Sequence, residues 1–111
     1  RLGIYGDDDI SRPILAEMGL RQGLLVLSVA AGSPAARAGL EGTRVINGSE
    51  ILPGDVILRL DGELLEEMGD LIELLDEYQI GDVVRLDLWR LGESRSVEVT
   101  LGGEFGSSGS D

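Results

Sequence analysis

The chain of 111 residues contains no cysteine and no histidine, and all nine of its basic residues are arginine, so lysine is missing as well. Without cysteine there is no disulfide framework, no thiol nucleophile and no thiolate ligand for zinc. Without histidine the usual general base and the commonest metal ligand are gone, and a Ser-His-Asp triad cannot be assembled. Without lysine, Schiff-base chemistry and Ser-Lys dyads are excluded. The lack of lysine itself reads as a compositional bias and not as a mechanism. Catalysis would have to rest on a carboxylate pair, and none stands on an obvious cleft. The chain therefore reads as a non-catalytic domain.

Positive charge is scarce: nine basic residues face 21 acidic ones, for a net charge of −12. A nucleic-acid partner needs a basic footprint, which this balance denies. An anionic membrane surface is disfavoured for the same reason, and the acidity reads as a contribution to solubility. No apolar run approaches the roughly 20 residues of a membrane-spanning helix, so membrane insertion is not expected. No signal peptide is visible, which predicts either a cytoplasmic chain or a mature, excised piece.

What is present is a globular composition, 42% apolar, in a length that fits one domain. Such a chain can bury roughly 65% of its unfolded surface in one core. It opens on Arg1-Leu2-Gly3-Ile4-Tyr5-Gly6. Apolar residues flanking a glycine at a strand start can expose successive backbone N–H groups, and such a nest can hold a carboxylate. Leu2 to Tyr5 reads as a strand. Asp7-Asp8-Asp9 reads as a polar turn, because it lacks the alternate ligands, mid-loop glycine and closing glutamate of a calcium loop. A short helix is expected from Ser11 to about Met18, capped by Ser11, with Pro13 in its first turn and Gly19 at its end.

Gly23 to Val29 is apolar and rich in leucine and valine, which predicts one buried strand. In Ser33 to Leu40, Ser33 is an N-cap, Pro34 takes the first helical position and Gly39 stops the helix. Residues 41–53 form a long excursion in which Asn47-Gly48 signals a small hairpin between Val45-Ile46 and Ile51-Leu52. Pro53-Gly54-Asp55 turns into a strand, Val56 to Leu60, closed by Asp61-Gly62. The main helix is expected from Asp70, in the cap role with Glu73 in capping-box spacing, and it ends before Ile80. Leu71, Leu74, Leu75 and Tyr78 fall at i, i+3, i+4 and i+7, one apolar stripe. Val83 to Trp89 alternates, with Val84, Leu86 and Leu88 on one face. Ser96 to Leu101 pairs back as the last strand. Residues 103–111 have a flexible-linker composition, and Glu104-Phe105 reads as a cloning scar, so this tail is set apart from the domain at 1–102 as an engineered linker.

Seven motifs follow in order: Leu2-Gly3-Ile4, Gly23-Leu24-Leu25-Val26, Ser33 to Leu40, Gly54-Asp55-Val56-Ile57, Asp61-Gly62, Asp70-Leu71 and Gly81-Asp82. Each is common alone, but in this order they resemble a PDZ domain of the bacterial, circularly permuted type. The likeness is greatest to the PDZ domains that follow the protease domain in HtrA/Deg-type serine proteases. It spans residues 1–102. Arg1 stands where such proteases often have an aromatic residue, the 41–53 excursion is long, and no protease domain is present, so no catalytic role carries over.

The resemblance implies a mostly β fold with helices (α+β). It would be a partly open β-barrel or sandwich of five to six strands, capped by one long and one short helix, with an extra short helix near the N-terminus. It also implies a peptide-binding module that takes an extended C-terminal segment as an added strand, with an apolar last residue. Leu2, Gly3 and Ile4 would offer N–H groups to the terminal carboxylate, on an edge that Tyr5 and Gly6 continue. Ile4, Leu71, Leu74, Leu75 and Tyr78 would line the pocket for the last side chain, with at least two of the helix residues also serving the core. Asp70 would read a basic or hydroxyl group two residues upstream, although capping its own helix is the stronger reading. No cofactor and no metal are implied. By resemblance the setting is extracytoplasmic, periplasmic or membrane-tethered, and the parent is a protease that can be oligomeric. The alternative is a structural or oligomerisation domain whose groove is self-occupied or meets another subunit.

Overall fold

The computed structural model describes residues 2–102; Arg1 and the tail at 103–111, with the expectations placed on them, lie outside the described residues. The elements follow in the order β1 (Ile4–Tyr5), α1 (Asp8–Glu17), β2 (Leu24–Leu25), β3 (Ser28–Val29), α2 (Pro34–Arg37), β4 (Arg44–Ile46) and β5 (Glu50–Leu52). After them come β6 (Val56–Leu60), β7 (Glu63–Leu64), α3 (Met68–Leu75), β8 (Val83–Arg90) and β9 (Glu93–Thr100). A five-stranded sheet runs β2-β6-β8-β9, with β7 paired to β6; β1-β3 and β4-β5 form two small ribbons. The architecture is α+β, as expected, and the sheet is not closed into a barrel.

The central sheet follows from alternation. Val84, Leu86 and Leu88 are buried and pack with Leu24, Ile57, Leu60 and Val99 into the main core. Leu91 and Gly92 both take positive φ, 49° and 85°, which makes the tight turn that lets β8 and β9 pair over eight residues. The last strand therefore starts at Glu93, three residues before Ser96. The Asn47-Gly48 signal also produces its hairpin, with both residues at positive φ and Val45 opposite Ile51.

Three elements differ from the sequence reading. The run 23–29 is two strands, because the chain changes sheets in the middle: Leu24–Leu25 pair with β6, whereas Ser28–Val29 pair with β1. Thr43 wedges the junction. Its N–H donates to the Val26 and Leu27 carbonyls at 3.0 and 3.1 Å. Its Oγ1 donates to the Val26 carbonyl at 2.8 Å and accepts from Gly54 N–H at 2.9 Å. This split adds one strand, β7 adds another and the ribbon β4-β5 adds two, so nine strands are present among the described residues and not five or six.

Helix α1 starts at Asp8, not Ser11. Asp7 is the cap, accepting Ile10 N–H at 3.0 Å, and Asp8 and Asp9 add negative charge where the helix dipole favours it. Ser11 is buried in the second turn and Pro13 sits inside the helix. With ten residues, this helix is the longest among the described residues. Helix α3 is shifted the other way. Its N-cap is Glu67, so Asp70 stands at the third helical position and not at the cap. It ends at Leu75 because the next bonds, Glu77 N–H to Leu74 and Tyr78 N–H to Leu75, are of the tighter i→i+3 kind.

A buried ion pair ties the residue before β6 to the end of β8. Asp55 is fully buried; its carboxylate accepts from the Arg90 guanidinium, 2.8 Å from Nη2, and from Glu41 N–H at 2.8 Å. Arg90 Nη2 also donates to the Gly39 carbonyl at 2.8 Å.

Candidate functional site

Gly3 takes φ 85°, a conformation that glycine adopts at little steric cost. The loop around it is held from behind. Leu2 is buried in the core, its carbonyl accepts Ala35 N–H at 2.9 Å, and the Gly3 carbonyl accepts Ala30 N–H at 2.8 Å. The Tyr5 carbonyl accepts Leu27 N–H at 2.9 Å. Gly3 and Tyr5 thus face β3, and by the two-residue period Ile4 and Gly6 turn their backbone polar groups to the other edge. Among the described residues no strand occupies that edge.

Helix α3 forms the opposite wall. A Cβ built on Gly6 would lie 2.7 Å from Met68 Sδ, so the first turn of α3 rests on the end of the β1 segment. Ile72 and Leu75 follow Met68 at i+4 and i+7 on the same face. Ile72 is 58% exposed, whereas Met68 and Leu75 lean on the core, as does Ile4 from β1. At the C-terminal end of α3 a cavity of about 400 Å³ is lined by Ile72, Leu75, Asp76, Tyr78, Gln79, Ile80, Leu101 and Gly102.

The structure brings Leu75 and Tyr78 to this cavity and sends the other helix candidates elsewhere. Leu71 is 2% exposed, in the core. Leu74 and Asp70 line a separate cavity with Glu63, Leu64, Glu66, Glu73 and Glu77. The Asp70 carboxylate is engaged in capping: Oδ2 accepts from Glu66 N–H at 2.9 Å and Glu67 N–H at 3.1 Å. Tyr5 is exposed. The sequence reading did not name Met68 or Ile72. Their spacing with Leu75 was a legible second stripe, overlapping the first.

Tyr78 is fixed by its hydroxyl, which donates to Asp61 Oδ2 at 2.8 Å, while Asp61 Oδ1 accepts Arg85 N–H at 2.7 Å. The hydrogen bond to Asp61, then partial desolvation and the Asp61 charge, push the phenol up to about 12 from its ordinary 10.0. Since the folded value exceeds the unfolded one, this bond supports the fold fully below pH 10, and the support is lost as pH rises towards 12. Tyrosinate absorbance of a Tyr5→Phe variant should show Tyr78 titrating near 12. A midpoint at the ordinary tyrosine value would mean that the bond to Asp61 is absent in solution.

Among the described residues, no group of three or more potential ligands could hold a metal ion, and no helix is long and apolar enough to cross a membrane. A family model described as PDZ domain matches residues 8–101. The chain is 34% identical over 89 residues to Protease Do-like 8, chloroplastic, of Arabidopsis thaliana, covering 80% of this chain and 20% of that protein. It is 30% identical over 95 residues to a probable periplasmic serine endoprotease, DegP-like, of Rhizobium meliloti (strain 1021), covering 84% and 17%. The chain thus spans about a fifth of the length of these curated relatives. The structure is similar to that of the HtrA3 PDZ domain bound to a phage-derived ligand, FGRWV. The TM-score is 0.67 at 19% identity, covering 90% of this chain and 83% of that one; at this identity the likeness speaks for the fold alone.

Proposed function

This chain belongs to the PDZ domain family, and we propose that it captures the free, apolar C-terminus of other proteins by adding the segment as a strand to the open edge of β1. PDZ domains are binding modules and not catalysts, and this one is related to domains carried by HtrA/DegP-type proteases. The observation that carries the proposal is a strand edge that no strand occupies among the described residues, opened by a glycine at φ 85° and faced by an apolar helix. Backbone hydrogen bonds from the edge supply affinity, and side-chain pockets supply selectivity. The ligand carboxylate lies at the Leu2-Gly3-Ile4 loop, and its last side chain enters the cavity beside Ile72, Leu75 and Tyr78. Leu71 supports this wall from the core, and Leu74 and Asp70 stand on its outer flank.

In the parent protein the domain recognises substrates for a tethered serine protease, in an extracytoplasmic compartment like those named for the relatives. A groove this short supports affinity in the micromolar range or weaker, on the order of −8 kcal/mol at most.

Titrating a pentapeptide that ends in valine, free and amidated, tests this. A carboxylate accepting backbone N–H groups makes charge-assisted bonds about twice as strong as neutral ones. Amidation should therefore weaken binding by about tenfold. Equal affinity for both forms would remove the carboxylate site. No binding of either, with a domain that self-associates, would favour the oligomerisation role instead.

A further inference from the structure

Asp8 sits in the first turn of α1, yet its carboxylate accepts the backbone N–H of Met68, at 3.2 Å from Oδ1 and 3.3 Å from Oδ2. Met68 is the first residue of α3, and its N–H is a donor that no bond within the helix can satisfy. The Met68 side chain in turn lies against Gly6, which directly precedes the Asp7 cap of α1. The segment leaving β1 thus clasps the helix across the groove, by one charge-assisted bond and one packing contact. The two walls are joined at the end away from Gly3.

We infer that Asp8 is a positioning residue for peptide capture, which fixes the width of the groove and sets how many ligand residues can pair with β1. The inference rests on the groove reading given above. The usable edge runs from Gly3 to Gly6, roughly 13 Å at about 3.3 Å per residue. At Asp8 the backbone has turned into a helix that bonds to itself, and the clasp to Met68 stands there. A ligand strand with its carboxylate at the Gly3 end therefore pairs over about its last three or four residues. Residues further upstream leave the domain without backbone partners. Length beyond that point should add no affinity.

A peptide ladder sharing one apolar C-terminus, at three, four, five and seven residues, is titrated against the wild type, Asp8→Ala and Asp8→Asn. Circular dichroism and the unfolding midpoint report that each variant is folded. In the wild type, affinity should rise to about four residues and then stay within about twofold. Asp8→Ala frees the end of α3, and binding of the four-residue peptide should fall about fivefold. Asp8→Asn keeps an oxygen acceptor for Met68 N–H and should restore binding to within about twofold of the wild type. A folded Asp8→Ala variant with the wild-type ladder would make Asp8 a plain structural cap and overturn the inference. So would a wild-type affinity that keeps climbing to seven residues. Failure of the wild type to prefer the free over the amidated peptide would instead remove the groove reading itself, and the role of Asp8 with it.

Discussion

Replacing Arg90 by leucine should destabilise the domain by about 3–5 kcal/mol, because it leaves a charged carboxylate buried without its counter-ion. Asp55 has no exposed side-chain surface, whereas the Arg90 side chain is 21% exposed. The two partners are therefore not equivalent. Removing Arg90 leaves the carboxylate with Glu41 N–H as its one remaining hydrogen-bond donor among the contacts described. Removing the carboxylate instead, as in Asp55→Asn, leaves a guanidinium that can still reach water and the Gly39 carbonyl, so the loss should be clearly smaller. The bond to Asp55 also holds Arg90 more firmly protonated than usual. The contact joins the start of β6, the end of β8, the loop after α2 and the entry to the 41–53 excursion. Urea denaturation at neutral pH measures both variants. Equal losses, or a loss under about 1 kcal/mol for Arg90→Leu, would mean that water reaches Asp55 and that the pair behaves as a surface one.

The parts of this fold that were legible in the sequence are those whose residue types admit a single local solution. Ser33, Pro34 and Gly39 bracket α2 as expected, with Ser33 Oγ accepting Ala36 N–H at 3.2 Å. Asn47-Gly48 bends its hairpin, and the alternation of Val84, Leu86 and Leu88 marks a strand with one buried face. The illegible parts were decided by tertiary contacts. Asp7 and Ser11 are both competent caps, and Asp7 wins where Asp8 meets Met68 across the groove. The run from Gly23 to Val29 gives no sign that Thr43 will split it. On α3 two apolar stripes share Leu75. Leu71 and Leu74 belong to one, Met68 and Ile72 to the other, and the sheet beneath decides which is buried. The opening loop was legible as a glycine free to take positive φ, but the sequence left a plain turn with ordinary φ open. Gly3 takes φ 85° in a loop held by Leu2 in the core and by the Ala35 and Ala30 N–H groups.

That glycine carries the largest expected effect on binding. Gly3 sits at φ 85°, where a Cβ crowds the following carbonyl at a cost of roughly 1–2 kcal/mol. Gly3→Ala should therefore lower stability by about that amount, in contrast to the mild effect expected at an ordinary φ. The loop cannot relax freely, since Leu2 is anchored in the core and both carbonyls are held, one by Ala35 and one by Ala30. The strain must either persist or rotate the peptide units on both sides of Gly3. Rotation would turn away the N–H groups proposed to receive the ligand carboxylate, and the methyl itself would stand where the ligand backbone approaches. Affinity for a free C-terminal peptide should fall by about thirtyfold, roughly 2 kcal/mol. The fall in affinity must exceed what unfolding removes, because a variant less stable by 1–2 kcal/mol remains almost wholly folded if the domain has ordinary stability. Measuring the unfolding midpoint and the peptide affinity on the same preparation separates the two effects. A folded Gly3→Ala domain that binds as tightly as the wild type would place the carboxylate away from this loop, and the edge of β1 would then have to receive its strand in another register.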